Sequence, residues 1–160
     1  MSSSNPGDEP RAPAGLLRYL RSGVRSTHEV VSRLRQRGVS SRDAARLVRA
    51  YRARGVLDDR AGVRLWADHW ARQGYASAAI RLKLAAKGFD AQTIDDTVSR
   101  FVPPSDDEAR ARVLLAQRRD RVSGRPGRAR LARALAAHGF EPDVIERLLG
   151  ESFDPDDAER

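Results

Sequence analysis

Apolar residues in this chain recur at spacings of three and four, and no stretch alternates at the two-residue period of a strand. The pattern predicts helices throughout. Three stretches share one phasing: SRLRQRGVSSRDAARLV (32–48), IRLKLAAKGFDAQTIDDTV (80–98) and LARALAAHGFEPDVIERLL (131–149). Each contains Leu-x-x-x-Gly and then an apolar residue, namely Leu34…Gly38-Val39, Leu84…Gly88-Phe89 and Leu135…Gly139-Phe140, with the glycines 50 and then 51 residues apart. Eight positions before each glycine stand Val30, Ile80 and Leu131; six beyond stand Ala44, Ile94 and Ile145; ten beyond stand Val48, Val98 and Leu149. Apolar positions held in phase across three copies define an internal repeat, and such a repeat decides the architecture.

Within the first copy, Ser26-x-x-Glu29 is a capping box that starts a helix carrying Val30, Val31 and Leu34 on one face. Gly38 ends that helix where a left-handed residue is needed. Ser40 starts the next helix, with Asp43 in its first turn and Ala44, Leu47 and Val48 inside; Gly55 ends it. Asp90, Glu141 and Pro142 occupy the matching start positions downstream. Each copy opens with a further helix, expected at about 12–22, 59–73 and 105–120. The middle one starts near Asp58-Asp59, carries Leu65, Trp66 and Trp70 as its apolar face and stops at Gly74. The predicted fold is all-α: an elongated tandem array of three three-helix repeats, about nine helices, with units at 11–56, 57–103 and 104–150. A single unit buries too little apolar surface alone and is stabilised by its neighbours. Residues 1–10 and 151–160, dominated by Pro, Ser, Gly and acids, are expected to be disordered.

Charge adds a partner class. The chain of 160 residues carries +8 overall, but residues 1–10 carry −2 and 151–160 carry −4, so residues 11–150 hold +14. A basic body suits a polyanionic partner, either nucleic acid or an acidic protein surface. An Arg- and Ala-rich composition alone would produce the same excess. Nine arginines fall between Arg110 and Arg133, including Arg118, Arg119 and Arg121, against one acid, Asp120. They could neutralise phosphates or line a solvated helix face. No apolar run is long enough for a transmembrane helix. The first residues lack the apolar core of a signal peptide, so a cytoplasmic location is expected. Cysteine is absent, which removes disulfides, zinc ribbons and cysteine nucleophiles.

No convergent set of catalytic residues is visible. His28, His69 and His138 fall in different copies without metal-ligand spacing, and His138 beside Gly139 suits a carbonyl cap at a helix end. Asp58-Asp59 reads as a helix N-terminal cap. There is no Gly-rich phosphate loop, and SGRPG (123–127) reads as a turn. Neither a catalytic activity nor a cofactor or metal is expected. Trp66 and Trp70, at i and i+4, could stack bases of a single strand, but a core role is the preferred reading.

The ordered motifs resemble the RecX family, the regulators of the RecA recombinase. The residues that carry the resemblance are Tyr19 in an opening helix, Ser26…Glu29-Val30, Arg33-Leu34-Arg35-Gln36-Arg37-Gly38 and Gly55-Val56-Leu57-Asp58-Asp59. The most distinctive part is Trp66, Trp70 and Arg72, then Gly74-Tyr75 and Arg81-Leu82-Lys83-Leu84-Ala85-Ala86-Lys87-Gly88-Phe89, with Gly139-Phe140 closing the third copy. Ala61-Gly62-Val63 stands where the family usually has Phe-Ala, and Ala76 where glycine is common. The resemblance covers about residues 14–150. It implies a monomeric, non-enzymatic modulator that binds the RecA–DNA filament, with weak electrostatic affinity for DNA and no membrane partner. Candidate partner-binding residues are Arg33, Arg37, Arg72, Tyr75, Arg81, Lys83, Lys87, Arg118, Arg119 and Arg121. Lys83 and Lys87, the only lysines, lie one turn apart on a face whose Leu84 is expected inward. Reversing both charges is expected to weaken partner binding with little thermal effect. The alternative reading is a direct DNA-binding regulator, because helix 27–37, the turn at Gly38-Val39-Ser40 and helix 41–54 have helix-turn-helix spacing. The copies lack a base-reading Asn/Gln set, which argues against it. A scaffold for another acidic protein is a third possibility.

Overall fold

The structure is a computed structural model that describes residues 12–120 and 127–152, with the side chains of residues 119, 120, 151 and 152 outside that description. Among the described residues there are nine α-helices, one 3₁₀ turn and no strand. Helices α1 (Leu16–Arg21), α2 (Thr27–Gln36) and α3 (Ser41–Ala53) form the first unit. The second is α4 (Asp59–Arg72), α5 (Ser77–Ala86) and α6 (Ala91–Phe101). After a 3₁₀ turn at Pro104–Asp106 come α7 (Asp107–Asp120), α8 (Arg128–Ala137) and α9 (Pro142–Ser152).

The repeated Leu-x-x-x-Gly-apolar signature is a helix-ending motif. Gly38, Gly88 and Gly139 have φ of 81°, 80° and 83°. In all three, the glycine N–H donates to the carbonyl three residues back (Arg35, Ala85, Ala136) at 2.8–3.0 Å. The next residue's N–H donates to the leucine carbonyl (Leu34, Leu84, Leu135) at 3.1–3.3 Å. This Schellman arrangement satisfies two carbonyls, and its apolar residue packs back on the leucine. Only glycine takes the left-handed conformation at little cost.

Local capping follows the sequence closely. Ser26 and Glu29 form the full capping box, and Ser40 accepts from the Asp43 N–H. Asp90 accepts from Thr93 at the start of α6. Its carboxyl is held below the ordinary Asp range, by the Thr93 side chain first and the Thr93 N–H next. A depressed carboxyl stabilises the fold above its unfolded-state value and loses that contribution as pH falls through the folded one. Asp90→Ala is expected to cost about 1 kcal/mol at neutral pH, measured by urea unfolding.

Three small cores follow the three units. The first gathers Leu16, Leu20, Val30, Leu34, Leu47 and Tyr51. The second is built on Val63, Trp70, Ile80, Leu84, Phe89 and Val98. The third contains Leu114, Leu131, Leu135, Phe140 and Leu148, together with Ala76 from the second unit.

Several expectations need correction. The opening helix α1 is only Leu16–Arg21, because Gly15 (φ 83°) turns the chain immediately before it. The third opening helix begins at Asp107, after the 3₁₀ turn. Leu65 is 57% exposed and does not share the inner face of α4, where Val63, Ala67 and Trp70 are buried. Helix α9 runs to Ser152, two residues into the stretch expected to be disordered. Residues 1–10 and 153–160 lie outside the described residues.

The two junctions between units use one design. At the first, the Ser26 hydroxyl donates to the Lys87 carbonyl (2.6 Å) and the Thr27 N–H donates to Asp59 (2.8 Å). At the second, the Ala76 N–H donates to the His138 carbonyl (2.9 Å), and the Ser77 N–H and hydroxyl donate to Asp107 (2.8 and 2.9 Å). In each, a helix start in one unit is capped by the glycine turn and the opening-helix aspartate of the next. Asp59 therefore caps α2 across the junction, while Asp58 alone caps its own helix through the Ala61 N–H. Gly62 is buried at the first junction; a Cβ there would lie 3.1 Å from both Phe89 and Val24. Close approach explains a glycine that would otherwise weaken the start of α4.

Candidate partner-binding face

Helices α4 and α5 of the middle unit carry a ladder of rings and cations. The Lys87 ammonium lies 4.0 Å from the centroid of Trp66. Trp66 stacks on Trp70 at 5.2 Å and 26°. Lys83 lies 5.6 Å from Trp70 and 4.3 Å from Tyr75. Tyr75 stacks on His138 of the third unit at 4.6 Å and 29°. The spacing explains the geometry, since positions 66 and 70 on α4 face position 83 on α5 and position 87 at its C-cap, each pair one turn apart.

The two tryptophans belong to the core side of this face. Trp70 is 9% exposed and Trp66 is half-buried. The Trp66 indole N–H is buried without a partner, so the ring contributes through its faces. Leu84 between the two lysines is fully buried, as expected. The salt bridges among the described residues all use arginine. Both lysines are instead held by ring quadrupoles, which fix the stem and leave the ammonium able to meet an anion.

The ladder ends at a polar cleft of about 290 Å³ between the second and third units, lined by Arg72, Gln73, Leu114, Gln117, Arg118 and His138. His138 donates from Nδ1 to the Ala134 carbonyl (2.8 Å), which fixes its ring against Tyr75. Arg72 is ion-paired with Asp68 on α4. The fold thus brings together Arg72, Tyr75, Lys83, Lys87 and Arg118. His138, Gln73 and Gln117 join them. The sequence identified His138 as a helix cap, which it is, but nothing local indicates that its ring crosses to Tyr75.

Other candidate residues lie elsewhere. Arg81 bridges α5 to α6, pairing with Asp95 and donating to the Ser99 hydroxyl (3.0 Å). Arg33 lies 4.2 Å from the Tyr19 ring, with Arg25 also on that ring at 4.5 Å. Arg37 donates to the Ala14 carbonyl (2.7 Å). These three arginines tie elements of their own units together. The Arg119 side chain and Arg121 lie outside the described residues.

No family model matches the chain. It is similar to the regulatory protein RecX of Thermobifida fusca (strain YX), 28% identical over 153 residues, covering 93% of this chain and 82% of that one. The regulatory protein RecX of Streptomyces coelicolor is 28% identical, with 96% and 86% covered. That of Mycobacterium sp. (strain KMS) is 29% identical, with 92% and 87% covered. The fold matches the crystal structure of RecX from Lactobacillus salivarius with a TM-score of 0.64 at 19% identity, covering 86% of this chain and 91% of that one. A second crystal structure, of a regulatory protein RecX, matches with a TM-score of 0.62 at 23% identity, covering 82% and 66%. The sequence matches run nearly end to end and the fold is shared, so the chain is similar to regulatory proteins RecX along most of its length.

Proposed function

We propose that this chain is a non-enzymatic regulator that binds the RecA recombinase filament and alters its activity, docking through the α4–α5 face and the adjoining cleft. The lysine–aromatic ladder is the observation that carries this reading. It presents two pre-positioned cations with little conformational freedom left to lose, beside Arg118 and His138. Ordered side chains bind at lower entropic cost than free ones.

The test compares binding to RecA-coated and naked single-stranded DNA at low and near-physiological salt. A filament regulator shows a ratio well above one that grows with salt, because phosphate binding weakens as counterions are released. A direct DNA-binding regulator gives a ratio near one at both salts and leaves RecA ATP hydrolysis unchanged; that outcome defeats the proposal.

Charge reversal of Lys83 and Lys87 to Glu is expected to weaken filament binding at least about tenfold, the equivalent of 1.4 kcal/mol. The stacking adds an expected thermal effect to the loss of binding. Each lysine lost from a ring costs about 0.5–1 kcal/mol, so the thermal midpoint falls by a few degrees. Lys83→Arg with Lys87→Arg keeps both cations on their rings and separates the two effects. Full binding by the double Glu variant would exclude this face.

A further inference from the structure

The repeat allows its third unit to be compared with its second, position by position. In unit two, Arg81 lies over the seam between α5 and α6 and is tied down by Asp95 and Ser99. Counted from the glycines, the corresponding residues of unit three are Ala132, Glu146 and Gly150. The acid is retained, but the arginine that closes the seam is gone. An apolar groove of about 520 Å³ lies open there, floored by Ala132, Ala136, Ile145 and Leu149. Arg128 and Arg133 of α8 and Glu146 of α9 line it as well.

We infer that this groove is a docking surface for an aromatic residue flanked by carboxylates, and that residues 153–160 of the same chain supply it. Two observations select that occupant. The first is position. Arg128, in the first turn of α8, lines the groove together with Leu149, near the end of α9 where the chain continues toward residue 153. The apolar spacing of Ile145 and Leu149 continues at Phe153, and Pro155 then disfavours further helix. Eight residues reach up to about 26 Å when extended. The groove from Leu149 back to Pro142 is only about 10 Å long at the helical rise. The second is charge. The segment FDPDDAER carries Asp154, Asp156, Asp157 and Glu159, complementary to Arg128 and Arg133. In this arrangement the aromatic ring covers the floor, and the acids meet Arg128 and Arg133.

Fluorine NMR of the full-length chain tests this, with para-fluorophenylalanine replacing its four phenylalanines and Phe153 assigned through Phe153→Leu. The Phe153 resonance is expected away from its position in the free peptide SFDPDDAER, and insensitive to dilution of the protein. Ala132→Arg recreates the unit-two bridge, toward Glu146, and should return the resonance to the free position. Arg128→Glu with Arg133→Glu should do the same while leaving the floor intact. The variants' helical content and thermal midpoints are checked by circular dichroism, so a folding defect in one leaves the other to decide. A wild-type resonance at the free-peptide position would overturn the inference. A displacement that disappears on dilution would do so too, since the tail of a second copy would then be the occupant. Indifference to both variants is the third overturning result.

Discussion

Gly139→Ala is expected to lower the thermal midpoint far more than Gly38→Ala, although the two glycines share one motif and nearly one φ. Both substitutions force a non-glycine residue into the left-handed region, which costs about 1–2 kcal/mol. At Gly38 that is all, because a new Cβ would have nothing within 4 Å. At Gly139 the Cβ would lie 2.5 Å from the Ala79 Cβ, a methyl that cannot rotate away. Overpacking of this kind adds about 1–3 kcal/mol. Gly88 is intermediate, since its Cβ would meet His28 at 2.8–2.9 Å and part of that side chain can move. For a chain of this size each kcal/mol corresponds to roughly 2–4 °C. The series Gly38, Gly88, Gly139 to alanine, followed by circular dichroism, should therefore show rising losses. Equal losses would mean that the junctions contribute nothing beyond the turn itself. The difference arises from position in the array. The turns of units two and three receive the preceding unit, whereas no described residue packs against Gly38 in the turn of unit one. If the chain acts as proposed, Gly139→Ala should also weaken filament binding, because His138, which stacks on Tyr75 beside the cleft, is the adjacent residue.

Asp107→Ala is the second large effect. Asp107 accepts from the Ser77 N–H and hydroxyl and is ion-paired with Arg110. Ser77 is 3% exposed, so its groups have no water to turn to. Leaving buried donors and a largely buried guanidinium without their acceptor costs about 2–4 kcal/mol. Arg110 keeps the Pro103 carbonyl at 2.8 Å, which limits the loss. Paired with Ser77→Ala in a double-mutant cycle, the coupling is expected at about 1–2 kcal/mol. Asp59→Ala, at the equivalent position of the first junction, should cost less. Asp59 accepts one N–H from Thr27 and a distant contact at 3.5 Å from Arg52. Urea unfolding distinguishes these cases. If Asp107→Ala changes stability by less than about 0.5 kcal/mol, the range of an ordinary surface substitution, the cross-unit cap is not a stabilising feature.

Whatever depends on neighbours within a helical turn or two was legible in the residues alone. The helix period, the Ser26–Glu29 box, the Ser40 and Asp90 caps and the three glycine-terminated helix ends are local interactions. Each therefore leaves a local signature, and the repeat multiplied the signal by three. The pairing of Lys83 with Lys87 around an inward Leu84 was legible for the same reason. Tertiary structure decided what those helices meet. Asp59 reads as a cap for its own helix until a neighbouring helix start arrives at its carboxylate. Leu65 reads as core until α4 is rotated by the burial of Val63, Ala67 and Trp70. The roles of Arg33, Arg37 and Arg81 as internal ties, and of His138 as the far end of an aromatic ladder, depend on residues distant in the chain. An arginine's reach spans a helix diameter, so its partner is chosen by packing and not by sequence spacing. The same holds for the groove of unit three, which exists because one long side chain is missing where the preceding repeat has it.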